Sequence, residues 1–217
     1  MKVKVLKNIL DANEAIASKN KGLFNKYKIF SINLMSAPGA GKTSLILETI
    51  RKLKDKVRMA VIEGDVASQL DANKIKEEGV AVVQINTGGG CSLDANMISQ
   101  ALDNLPLPQI DLLLIENVGN LVCPAQFTLG EHKRVVISSL PEGDDKPVKY
   151  PIIFTDADAV VINKIDLLPY LDFNLNMVQR GVEGLNPKAK IFQISSKTGT
   201  GIEEWCSWIL AEMKGKS

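Results

Sequence analysis

The chain has 217 residues, 45% of them hydrophobic and 24% charged, enough for one compact α/β domain and short for two. Its 26 basic and 25 acidic residues nearly cancel to a formal charge of +1, and no basic cluster interleaves with aromatics, so a nucleic-acid or anionic-membrane partner has no electrostatic support. No apolar run approaches the roughly 20 residues of a membrane span and the amino terminus lacks a signal-peptide pattern, so a cytoplasmic protein is expected, and three cysteines without framework spacing suit a reducing compartment.

In chain order, residues 6–27 carry Leu6, Ile9, Leu10, Ala15, Ile16 and Phe24 in a roughly 3.6-residue rhythm, an amphipathic helix that could pack on the domain or on a partner. An apolar run over 29–35, predicted as a strand, leads into Ser36-Ala37-Pro38-Gly39-Ala40-Gly41-Lys42-Thr43, and 44–54 is helix-forming. This is the strand, loop and helix of a phosphate-binding loop, with Ser36 where the usual pattern has glycine. Gly39 and Gly41 let backbone N–H groups turn inward around phosphate oxygens, with Pro38, Ala40 and Ser44 part of the same cradle. Lys42 would meet the β- and γ-phosphates and Thr43 would bind Mg²⁺.

Further strands are expected over 57–63, 81–86, 110–116, 135–139, 159–163 and 191–195, with helices over 68–78, 92–102, 174–182 and 202–213 between most of them. Strands that are apolar almost throughout and alternate with helices predict an α/β fold, a mostly parallel sheet with helices on both faces. A single P-loop domain over 1–217 is expected, with ligands beyond the carboxyl ends of the strands. The stretch from Pro141 to Pro151 is expected to be a polar loop. Its Lys146 and Lys149 either reach a neighbouring subunit's nucleotide or belong to a solvated face.

Asn163-Lys164-Ile165-Asp166, after the 159–163 strand, selects the base. The Asp166 carboxylate can accept from guanine N1–H and the exocyclic amine, two donors that adenine lacks on that edge, while Asn163 braces the loop and the Lys164 stem lies along the purine. Ser195-Ser196-Lys197 looks like the second guanine loop of GTPases. GTP and GDP are therefore the expected ligands. Glu116, at the end of the 110–116 strand, would hold Mg²⁺ through water, and Gly119 could bring its N–H to the γ-phosphate. Asp65, after the second strand, is a further candidate for Mg²⁺ or for positioning the attacking water, or else a helix N-cap. Lys42, Asp65 and Glu116 form the expected catalytic set. No residue declares itself a general base, so slow hydrolysis is expected unless a partner or second subunit completes the site.

Cys91, after Gly88-Gly89-Gly90, falls at the end of a strand and the start of a helix, whose dipole would lower its thiol pKa. Cys123 follows Gly119 closely, so both thiols emerge beside the nucleotide site. Two thiolates make half of a site for Ni²⁺ or Zn²⁺ and a symmetric dimer would double the ligands, the alternative being two small buried hydrophobes. Cys206, between Trp205 and Trp208, is expected in the core. His132, the only histidine, is expected in an exposed or loop position, with ligation the lesser alternative.

Taken together, Glu63-Gly64-Asp65, Asn86-Thr87-Gly88, Cys91 with Leu93-Asp94-Ala95, the run Glu116-Asn117-Val118-Gly119-Asn120-Leu121-Val122-Cys123-Pro124, Glu142-Gly143-Asp144-Asp145-Lys146-Pro147 and Lys149-Tyr150-Pro151 resemble the HypB family, nickel-insertion GTPases of hydrogenase maturation. The likeness covers nearly the whole chain. It implies a GTP-driven homodimer that helps load nickel into [NiFe] hydrogenases, meeting the hydrogenase large subunit and a small zinc-containing maturation partner. It also implies that Cys91 and Cys123 belong to a metal site at the dimer interface, responsive to the nucleotide. The family has His directly after the first cysteine where this chain has Ser92, and His132 could compensate if the fold brought it near. The histidine- or cysteine-rich extension of some members is not seen, so nickel storage by a tail is not expected. The residues also leave open a nucleotide-dependent switch or adaptor with structural cysteines, and a related chaperone GTPase for urease or a cobalamin enzyme.

Overall fold

A computed structural model describes residues 2–65 and 70–215. Its first half contains α1 (Lys2–Tyr27), β1 (Phe30–Ser36), α2 (Lys42–Leu53), β2 (Met59–Asp65), α3 (Leu70–Glu77), β3 (Ala81–Asn86), α4 (Ala95–Leu102) and β4 (Leu112–Glu116). Its second half contains β5 (Lys133–Ser139), α5 (Lys146–Lys149), α6 (Pro151–Thr155), β6 (Ala159–Asn163), α7 (Leu175–Leu185), β7 (Lys190–Ile194) and α8 (Ile202–Gly215).

The seven strands form one sheet in the order β3-β2-β4-β1-β5-β6-β7, every neighbouring pair parallel. The strands' two-residue period sends alternate side chains to opposite faces, and both faces are apolar. In β4, Leu112 and Leu114 face α2 and α8 in a core that includes Leu45, Ile50, Trp205 and Ile209, while Leu113 and Ile115 face Phe24 of α1 and Ile98 and Leu102 of α4. In β6, Val161 joins the first of these cores and Val160 and Ile162 pack with Phe154, Val178 and Val182 of α6 and α7. Fully burying one such Val, Leu or Ile contributes roughly 1.5–3 kcal/mol, which is why helices must cover both faces.

α1 packs on the domain. Asn13 and Asn20, two turns apart on one face, tie it down: Asn13 Nδ2 donates to Thr128 O (2.8 Å) and its Oδ1 accepts from Ala95 N (2.8 Å), while Asn20 Nδ2 donates to Ala95 O (2.8 Å) and Leu129 O (3.1 Å).

Two expectations need correction. The stretch from Pro141 to Pro151 is not a loop throughout: a 3-10 turn spans Leu140–Glu142, α5 follows, and Pro151 opens α6. Proline disfavours a helix interior but suits a first turn, where its missing N–H has no partner to lose, and Pro141, Pro147 and Pro151 all sit there. The helix expected over 92–102 starts only at Ala95, because Asp94 caps it by accepting from Met97 N (2.8 Å). Cys91 therefore lies in the turn before α4 rather than on its first residues. The start of the helix expected over 68–78 lies outside the described residues, and α3 begins at Leu70.

Candidate functional site

β1 lies between β4 and β5, and the chain after its carboxyl end forms the phosphate-binding loop. A cavity of about 540 Å³ opens there, walled by Pro38, Gly39, Gly41, Lys42, Thr43 and Ser44 from the loop and first turn of α2, and by Glu63, Asp65, Glu116 and Gly119 from neighbouring strand ends. Gly41 has φ +97°, and a Cβ there would stand 2.5 Å from Asn163 Nδ2, so both conformation and space demand glycine. Ser36, in the position usually held by glycine, accepts a hydrogen bond from Lys42 Nζ (2.8 Å). Burial lowers the Lys42 pKa, against the raising effect of Glu116, Glu142, Asp71 and Glu63.

Thr43 Oγ1 donates to Glu116 Oε1 (2.8 Å) and lies 3.2 Å from Asp71 Oδ2. Glu116 stands beside Glu63 in the parallel register of β2 and β4. Both side chains are buried, and one oxygen of each, Glu63 Oε2 and Glu116 Oε2, is sealed from solvent without a hydrogen-bond partner. Burial pushes the Glu63 carboxyl up to about 8, with Glu116, Asp65 and Asp71 adding to the effect. Burial likewise raises Glu116 to about 7 against the opposing pull of Lys42 and Thr43. Orphaned hard oxygens beside a threonine hydroxyl and a phosphate-binding loop are the donor set that suits Mg²⁺. Glu63 and Asp71 were not among the expected site residues. Glu63 had a signal in the sequence, since it is two residues before Asp65 on a strand and shares its side; Asp71 had none, because only the docking of α3 brings it to Thr43.

The residues expected to select the base gather on the other flank. Asn163 Nδ2 donates to Ala40 O (2.9 Å), its Oδ1 accepts from Lys164 N (2.8 Å), and Ser196 N lies within 3.4 Å of the same oxygen. Asp166 Oδ1 accepts from Ser195 Oγ (2.6 Å), which orients the carboxylate. Lys164 has positive φ and reaches Gly39 O with its ammonium (2.7 Å), so its stem spans the gap between the two loops. Ser195 is buried and Lys197 exposed; these residues and Asp166 lie outside the walls of the phosphate cavity.

Cys91 and Cys123 meet within one chain and are joined as a disulfide, with Cα atoms 6.1 Å apart. Cys91 is exposed and Cys123 half-buried, which disposes of the alternative that both are buried hydrophobes. Asn120 shapes the second turn, its Oδ1 accepting from Val122 N (2.7 Å) and Cys123 N (3.2 Å) and its amide lying 3.6 Å from Cys123 Sγ. Ser92 Oγ donates to Leu93 O (2.8 Å) and lies 3.5 Å from Asn117 Oδ1. His132 does not compensate. It sits at the amino end of β5, Nδ1 2.7 Å from Ser31 Oγ and ring stacked on Phe30 at 5.5 Å, at the far end of the sheet from the loop after β4. Among the described residues no three His, Cys, Asp or Glu side chains are arranged to hold a metal ion. Cys206 is in the core, where burial pushes its thiol up to about 12. Lys149 pairs with Asp145 and Lys146 lies over the Tyr150 ring, as on a solvated face. No described helix is long and apolar enough to cross a membrane.

Residues 30–193 match the CobW/HypB/UreG nucleotide-binding domain family. The chain is 46% identical over 207 residues to the hydrogenase maturation factor HypB of Rhizobium leguminosarum bv. viciae, covering 95% of this chain and 69% of that protein. It is 44% identical to the probable hydrogenase maturation factor HypB of Methanocaldococcus jannaschii, across 97% of this chain and 95% of the other. Among solved structures, HypB from Helicobacter pylori in complex with nickel superposes with a TM-score of 0.90 at 39% identity, covering 94% of this chain and 96% of that one.

Proposed function

The chain belongs to the HypB hydrogenase maturation factors, within the CobW/HypB/UreG nucleotide-binding family, and from that premise we propose that it is a GTP-hydrolysing metallochaperone that assists nickel insertion into [NiFe] hydrogenase. The observation that carries the reading is the adjacency of two half-built sites. A phosphate loop with orphaned carboxylates lies beside a surface pair of cysteines, and the turn after β4 runs from Glu116 at the first site through Gly119 to Cys123 at the second.

At the nucleotide, Gly39 to Ser44 hold the phosphates, Lys42 leaves Ser36 to pair with phosphate oxygens, and Asp166, held by Ser195, accepts from guanine. Thr43 and Glu116, with Asp65, would hold Mg²⁺, whose charge would offset that of the phosphates. Glu63 is close enough in register to Glu116 to orient a water in the same cavity. At the thiols, reduction of the pair frees two soft donors for Ni²⁺ or Zn²⁺. In this reading a second copy supplies the remaining ligands across a two-fold axis, and the nucleotide governs the dimer. The setting is cytoplasmic, with the hydrogenase large subunit and a small zinc-containing maturation protein as partners.

The test is Ni²⁺ and Zn²⁺ binding to reduced protein with GDP and with a non-hydrolysable GTP analogue, following molecular mass in the same samples. A site that appears or tightens in a GTP-state dimer and disappears on mutating either cysteine supports the reading. A dimer that forms without any metal site in either state would favour the adaptor reading, in which the nucleotide governs partner binding alone.

A further inference from the structure

One buried amide touches both half-sites. Asn117 directly follows Glu116 and is 1% exposed. Its Oδ1 accepts from Leu93 N (3.0 Å), in the turn that carries Cys91, and from Val118 N (2.9 Å), in the turn that leads to Gly119 and Cys123. Ser92 Oγ also lies 3.5 Å from that oxygen, which is thus shared between the segments bearing the two thiols. Its Nδ2 donates to Asn33 Oδ1 (3.2 Å) in β1, and Asn33 in turn donates to Glu131 Oε1 (3.1 Å). A carboxylate could accept at Oδ1 but could not donate to Asn33, and it would add a charge next to Glu116; only an amide fits both demands.

Packing closes the same circuit. A Cβ on Gly64, between Glu63 and Asp65, would lie 2.8 Å from the Leu93 methyl carbons, so Leu93 rests directly on the end of β2. A Cβ on Gly119 would lie 3.0 Å from Pro38 Cα and N, so the turn after Glu116 rests on the phosphate loop. A displacement of Glu116 and Gly119 toward phosphate and cation must therefore either carry Leu93 along or break its bond to Asn117. Close packing makes such contacts switch between arrangements rather than stretch.

We propose that Asn117 is the positioning residue that passes the state of the phosphate site to the Cys91 and Cys123 pair. The inference rests on the nucleotide-dependent metal site proposed above. Asn117 lies in the wall of the phosphate cavity, but its side chain bonds to Leu93 N, Val118 N and Asn33 rather than to a thiol. It sets where the two cysteine-bearing turns stand relative to each other, and so whether both sulfurs can face one ion.

The experiment compares the reduced full chain, Asn117→Ala and Asn33→Ala, the last being one contact removed from either site. Alkylation rates of Cys91 and Cys123 are measured without metal, by peptide mass, with GDP and with a non-hydrolysable GTP analogue, and Ni²⁺ alone is titrated in the same two states. Wild type should show a GTP-to-GDP ratio different from one in both readouts. Asn117→Ala should bring both ratios to within about twofold of unity, and Asn33→Ala should shift them in the same direction, since residues sharing one hydrogen-bond network couple by about 2- to 100-fold. Thermal unfolding checks that each variant is folded. A folded Asn117→Ala that keeps the wild-type ratios overturns the inference, and if that variant does not fold, an unchanged ratio in Asn33→Ala overturns it. A wild type whose ratios are both one overturns the functional reading and this inference with it, which separates the two failures.

Discussion

In the metal-free protein, Glu63 and Glu116 stand side by side in register and are nearly sealed from solvent. Glu63→Gln keeps the shape of the side chain and removes its charge. The folded-state pKa of Glu63 is about 8 against an ordinary value of 4.5. The native chain therefore keeps a proton that the unfolded chain releases, and stability is greatest below the unfolded value, declines as pH rises, and levels off above the folded value. At about 1.4 kcal/mol per pH unit for one proton, wild type forfeits ~1.4 kcal/mol by about pH 5.5 and ~3.4 kcal/mol by about pH 7, so the variant should gain ~2 kcal/mol on it across that interval. For a chain of this size that is a relative rise in Tm of roughly 4–8 °C. The assay is urea and thermal unfolding of both proteins in a chelator, without nucleotide, at the two pH values. Identical pH slopes for wild type and variant would refute the argument that Glu63 is held protonated by its surroundings. Adding Mg²⁺ with GDP to wild type should flatten its slope, because a bound cation replaces protons as the compensating charge.

Asp166→Asn should weaken GDP binding at least about a hundredfold without improving ADP, since two charge-assisted bonds of roughly 1.5–3 kcal/mol each depend on the carboxylate; equal GDP affinity by calorimetry would exclude guanine recognition by this residue. Glu116→Gln should abolish the Mg²⁺ dependence of GTP-analogue binding and slow hydrolysis by about a hundredfold or more, and a variant with wild-type Mg²⁺ dependence would place the cation elsewhere. Because Cys91 and Cys123 are within bonding reach of each other, Ni²⁺ uptake should require a reductant and fail in either Cys→Ser variant; uptake by fully oxidised protein would show that other groups bind the ion. Cys206, whose thiol is pushed up to about 12 by burial, should resist alkylation at neutral pH until the protein unfolds, and labelling at the rate of an exposed thiol would contradict its place beside Trp205.

Local sequence determined much of this protein, because its information lay in periodicity and in short motifs whose residues act together. Runs such as 159–162 are apolar at every position, which a strand covered on both faces explains, and the glycines, lysine and threonine around Lys42 spell out a phosphate loop in one short stretch. The helix over 6–27 was legible as amphipathic, yet what its face meets was not: Asn13 and Asn20 find Thr128, Leu129 and Ala95 only after the chain has folded. The same limit governs the site. Asp166 and Ser195 each announce a guanine loop, but the bond that orients one with the other is tertiary. Cys91 and Cys123 looked like ligands from their neighbours in sequence, whereas their meeting in one chain, and the distance of His132 from them, depend on which ends of the strands the loops occupy. Asp71 reached Thr43, and Asn117 came to share its oxygen between two turns, through strand order and helix docking alone. Sequence specifies what each segment must bury and which groups it offers. Which groups face one another is decided by the sheet, since the order β3-β2-β4-β1-β5-β6-β7 brings together strand ends that the chain keeps far apart.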